Sequence, residues 1–168
     1  MRTSSPKAIV ALYVVIAALL PAFVLSAETP ATQASAADDP DARPPVTQGD
    51  LQIVKRAREL LDSPAKWNRA DNRKCPDGAK TVSLYCALQG ATIEVGKKFE
   101  HRGAALQEMR FVIDEIAATR KYDHRLMDYN NDPTTSFADV QEVLRITESL
   151  ISLRLKGDER NAVTPAKP

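Results

Sequence analysis

Two short segments carry the residue types best suited to chemistry in this chain: Glu100-His101-Arg102 and Tyr122-Asp123-His124-Arg125. Imidazole changes charge near neutral pH and serves as a general base or metal ligand. A guanidinium offers a planar fork of donors that fits a carboxylate or a phosphate. Two His-Arg dipeptides brought together by the fold would clamp an anion. His124 and Asp128 are four residues apart, so on a helix they share a face and could form a His–carboxylate pair. The simpler reading is a solvent-facing network of ion pairs and helix caps, each contributing little.

The segment Asp128-Tyr129-Asn130-Asn131-Asp132-Pro133-Thr134-Thr135-Ser136-Phe137-Ala138-Asp139 holds the densest set of oxygen ligands. Aligned with a calcium-binding EF-hand loop, Asp128, Asn130, Asp132, Ser136 and Asp139 fall at ligand positions. Pro133 then occupies the position that needs glycine, and Asp139 replaces the usual bidentate glutamate, so a standard EF-hand is not expected. Asn and Asp side chains make turns, Pro133 stiffens one, and Ser136 is placed to cap a following helix. The ligand or metal candidates are therefore His101, His124, Asp128, Asn130 and Asp132, with turn and cap roles as the competing reading.

A second candidate surface is the polar loop that follows Trp67. Aromatics beside arginine are common interface anchors, which makes Trp67, Asn68, Arg69 and Arg73 candidate interface residues. A lone tryptophan is more often a core plug, here sealing the first helix against the loop. Arg69, Arg73, Lys74 and Lys80 are interleaved with acids, so no nucleic-acid partner is expected. The two cysteines, Cys75 in the loop and Cys86 just beyond it, are expected to pair. Their bridge would close a loop of about 12 residues, stabilising by roughly 2–3 kcal/mol in the chain-entropy model. The chain has no HExxH, GxSxG, Walker or GxGxxG motif. No catalytic residue is assigned and no cofactor is expected.

Those residues must be positioned by the elements around them. The chain has 168 residues, 43% hydrophobic and 27% charged, with a formal net charge of +1, which suits one ordinary domain and no polybasic nucleic-acid binder. Arg2 and Lys7 precede an uncharged stretch from Ala8 to Leu25, and Leu25-Ser26-Ala27 offers a cleavage site, the layout of a signal peptide over residues 1–27. The alternative is an uncleaved segment that anchors an envelope scaffold. Residues 28–46 are rich in Ala, Thr, Ser, Asp and Pro and read as a disordered linker. A helical domain is expected over residues 47–156 and a flexible tail over residues 157–168. Thr47 with Asp50 opens a first helix carrying Ile53, Val54, Ala57, Leu60 and Leu61 on one face. Thr81 to about Lys98 reads as a central helix, Gly103 to about Thr119 as a third, and Ser136 with Asp139 opens a fourth running to Leu155. The expected fold is all-α, a small bundle of about four helices with two long loops.

Taken in order, Trp67-Asn68, a loop cysteine, Ser83-Leu84-Tyr85-Cys86-Ala87-Leu88-Gln89-Gly90-Ala91 and Tyr129-Asn130-Asn131-Asp132-Pro133-Thr134-Thr135 form a recognisable pattern. It resembles a bacterial family catalogued only as a domain of unknown function. That family pairs a Trp…Cys segment with a Cys-Ala-Leu-Gly-Ala helix and an Asn-Asp-x-Pro-x-Thr turn. The resemblance covers about Leu51 to Leu153. It departs at Gln89, where glycine is usual, and at Pro133, which follows Asp132 without a spacer. It implies a small helical domain and transfers no catalytic residue. The functional expectation is an exported, periplasmic or secreted, non-enzymatic module that binds an envelope protein or a small ligand. The competing expectation is a small enzyme or a metal- or anion-binding protein. Contact with a membrane is expected only through the N-terminal segment, if it is retained.

Overall fold

Helix starts are set by side chains that satisfy the amides a first turn leaves unpaired. The computed structural model describes residues 43–163; the expected signal peptide, most of the expected linker and the last five residues lie outside the described residues. Helix α1 (Gln48–Leu60) opens on a complete capping box. The Asp50 amide donates to Thr47 Oγ1 at 3.3 Å, and the Thr47 amide donates to Asp50 Oδ2 at 2.9 Å. The other carboxylate oxygen of Asp50 accepts from the Ala105 amide at 3.0 Å, so one side chain caps two helices. Helix α1 buries Ile53, Val54 and Ala57 and gives way to a single 3-10 turn at Pro64–Lys66.

Helix α2 (Leu84–Gly96) starts three residues later than its hydrophobic pattern suggests. Val82 is held instead in a short bridge with the Trp67 segment: its amide donates to Lys66 O at 2.8 Å, and the Asn68 amide donates to Val82 O at 2.9 Å. Ser83 Oγ then accepts from the Cys86 amide and begins the helix. Leu84, Ala87, Leu88 and Ala91 are fully buried, as expected for the central helix. Helix α3 (Ala104–Ile116) lays Leu106, Met109, Val112 and Ile113 into the same core. Each large aliphatic side chain removed from water stabilises by about 1.5–3 kcal/mol.

The chain departs from the expected four-helix count between Tyr122 and Ser136. Residues Arg125–Asn131 form a short helix, α4, where a loop was expected. Its buried residues, Leu126, Tyr129 and Asn130, follow helical spacing, but seven residues hold too few apolar positions to show a period. Helix α5 (Phe137–Val163) opens with the expected Ser136–Asp139 box, the Ser136 amide donating to Asp139 Oδ2 at 2.7 Å. It passes through Gly157, beyond the expected end at Leu155. It buries Val140, Val143, Leu144 and Ile151 and packs against α1 and α3. The described residues thus hold five α-helices, all serving one core.

Candidate functional site

The loop between α1 and α2 is tied down at several points. Cys75 and Cys86 form a disulfide, with their Cα atoms 5.3 Å apart. The Asp71 amide donates to Asn131 Oδ1 at 2.7 Å, and Asn131 Nδ2 donates back to Asp71 O at 2.8 Å. Arg69 Nη2 donates to the carbonyls of Asp132 and Pro133, and its guanidinium lies 5.5 Å from the Trp67 ring. The loop after Trp67 and the Asn131–Pro133 segment therefore meet, but largely by spending their polar groups on each other.

Asn130 is the centre of that junction and is fully buried. Its Oδ1 accepts from Trp67 Nε1 at 2.8 Å and from the Leu84 amide at 3.0 Å. Its Nδ2 donates to Asn68 O at 3.0 Å and to Asn131 Oδ1 at 3.2 Å. One amide thus fixes α4 to the start of α2 and to the Trp67 segment, with no bonding capacity left for a ligand. Trp67 itself is half-buried and tilts against Phe137 at 6.1 Å.

The other oxygen candidates are also engaged within the fold. Asp128 Oδ2 accepts from the His124 amide at 2.7 Å, so this carboxylate meets the backbone of His124 at the start of α4. Asp132 accepts from Tyr122 Oη at 2.8 Å, from Arg120 at 3.2 Å and from both the amide and hydroxyl of Thr134. The Thr134 bonds, then Tyr122 and Arg120, hold its carboxyl down to about 2. Among the described residues, no group of three or more His, Cys, Asp or Glu side chains could hold a metal ion.

The histidines sit elsewhere, on one open cleft of about 290 Å³. His101 and Arg102 reach it from the turn before α3, and His124 and Arg125 reach it from the start of α4. Arg73 approaches from the disulfide loop, its backbone in the left-handed region at φ 59° and its amide donating to Asp71 Oδ1. Of the four candidate interface residues, only Arg73 lines this cleft; Trp67, Asn68 and Arg69 do not. Tyr85 and Tyr122 add aromatic walls, and Leu126 and Met127 an apolar patch.

Arg110 of α3 also lines the cleft and is half-buried. Its guanidinium donates to Gln107 Oε1 and lies 3.4 Å from His101 Nε2. Among the described residues no carboxylate pairs with it. Burial, then the positive charges of Arg125 and Arg102, disfavour its charged form. Sequence reasoning missed Arg110, along with Tyr122 as a wall of the cleft. A signal was present: Gln107 and Glu108 lie among the apolar residues of α3, and both are buried.

All the lining residues lie within one recognisable sequence segment. The model of DUF6197, a family of unknown function, matches residues 45–150. The chain belongs to that family. The match runs from the start of α1 into α5 and takes in the cleft, the Asn130 junction and both cysteines. No curated protein and no solved structure matches the chain. In the DUF6197 domain, then, the functional reading rests on the cleft itself. Its lining brings guanidinium and imidazole groups together beside a shallow apolar side.

Proposed function

We propose that this domain is an exported ligand-binding module whose cleft takes a small anion. The observation that carries the reading is Arg110. It is a half-buried guanidinium with no carboxylate partner among the described residues, facing a cleft rimmed by further arginines. A partly desolvated cation among like charges is unfavourable, and an anionic ligand would relieve that cost. Export is supported by the signal-like residues 1–27 and by the Cys75–Cys86 disulfide, which suits an oxidising compartment.

The test is thermal unfolding of the full chain at fixed ionic strength in acetate, citrate, phosphate and sulfate, each against chloride. At least one anion is expected to raise the midpoint saturably, corresponding to about 2.7 kcal/mol at a hundredfold excess over Kd. Arg110→Gln, checked for helical content, should lose the shift. A flat panel across all four anions would overturn the reading.

A further inference from the structure

Most of the positive charge around the cleft is already answered. Arg125 meets Asp114 at 3.1 Å, and Arg102 is engaged within the protein. Arg73 is exposed, and a solvated guanidinium gains little from a counter-ion. Arg110 differs from all three. It is half-buried, and it meets Gln107 Oε1 and, at 3.4 Å, His101 Nε2. Neither is a carboxylate, and Asp123, the one acid among the described lining residues, is exposed. One partly desolvated guanidinium calls for one negative charge. A dianion would bring a second charge with no second unpaired, partly buried guanidinium to receive it. Arginine carries five N–H donors, so its two contacts leave Arg110 enough for both oxygens of a carboxylate.

The lining next to that cation is aromatic. The Tyr85 ring lies 6.3 Å from the His101 ring and 5.9 Å from Phe99, so Arg110, His101 and Tyr85 are contiguous. Leu126 and Met127 line the same opening. At about 290 Å³ the cleft sits at the small end of organic-ligand sites, which leaves room beyond a bare ion. Resting on the anion-binding reading, we infer that the ligand is a small monocarboxylate with an apolar, ring-sized body. Its carboxylate lies on Arg110, and its body lies against Tyr85.

Calorimetric titration of the full chain at one ionic strength tests this with benzoate, acetate, benzenesulfonate and phenyl phosphate. Benzoate is expected to bind at least about tenfold more tightly than acetate, which lacks the body. The same margin is expected over benzenesulfonate, which carries its single charge on a tetrahedral head. Phenyl phosphate, with a charge of about −1.5 to −2 at pH 7, is expected to gain nothing over benzoate. Benzenesulfonate binding as tightly as benzoate, or phenyl phosphate binding more tightly, overturns the carboxylate and leaves the anion reading standing. Acetate matching benzoate overturns the apolar body. No binding by any probe overturns both readings. Tyr85→Ala, checked for helical content, should bring benzoate down towards acetate and leave acetate unchanged. An unaltered ratio of the two overturns the placement of the body against Tyr85.

Discussion

Nε2 of His101 lies 3.4 Å from the Arg110 guanidinium. Arginine has only donors, so this contact is a hydrogen bond only when Nε2 of a neutral His101 accepts. Partial burial of the ring, followed by the charges of Arg110, Arg102 and Arg73, lowers its pKa below the ordinary 6.5. Above that value His101 is neutral both folded and unfolded. Below it the unfolded chain takes up the proton first, so stability is lost as pH falls through the folded-state value. His101→Gln is therefore expected to flatten the decline in urea-unfolding stability below pH 6.5. An unchanged slope would refute the coupling.

Asn130 should be the costliest polar residue to replace. Asn130→Ala removes both halves of its amide and leaves Trp67 Nε1, the Leu84 amide and Asn68 O without their partner. Each orphaned buried group costs about 1–3 kcal/mol, so a total loss of at least about 3 kcal/mol is expected in urea unfolding. A loss below about 0.5 kcal/mol would show that the junction does not hold the loop.

A second buried group ties the N-terminal segment to the bundle. Glu108 is fully buried, accepts from Arg154, and lies 3.5 Å from Arg43; Arg154 also donates to Pro44 O at 2.8 Å. Arg154→Ala strips the main partner from a buried carboxylate and should cost about 3–5 kcal/mol. Glu115→Ala, at a position whose side chain is 63% exposed and also meets Arg43, should cost less than about 1 kcal/mol. Comparable losses in the two variants, measured by thermal or urea unfolding, would remove the special role of Glu108.

The disulfide bears on both stability and binding. Cys75 follows Arg73 by two residues and Cys86 follows Tyr85 directly, so the staple borders two walls of the cleft. Replacing both cysteines by serine is expected to lower stability by about 2–3 kcal/mol from loop entropy. It should also weaken anion binding, because the loop around Arg73 would then be held only by the Asp71–Asn131 and Arg73–Asp71 bonds. Unaltered binding in the double variant would show that those bonds suffice.

Local physics made much of the fold readable. Thr47 with Asp50 and Ser136 with Asp139 form the capping boxes that their spacing implies, since each box closes within four residues. The buried faces of α1, α2, α3 and α5 follow from apolar residues at helical spacing. The disulfide partners were the two cysteines of the chain. Helix α4 was not readable, because its stability comes from Asn130 and Tyr129 docking on other elements rather than from a periodic stripe.

The cleft shows the same division. The His-Arg dipeptides announced residues able to hold an anion, and nothing more could be drawn from their spacing, because side chains 23 residues apart have no fixed relation in a chain. Sequence alone determined the helical class, the cap positions and the chemistry on offer, all matters of local spacing. Only the tertiary structure decided that Asp128, Asn130 and Asp132 serve internal contacts while His101, His124 and four arginines share one opening. That choice depends on which segments pack together, and packing is set by burial across the whole domain.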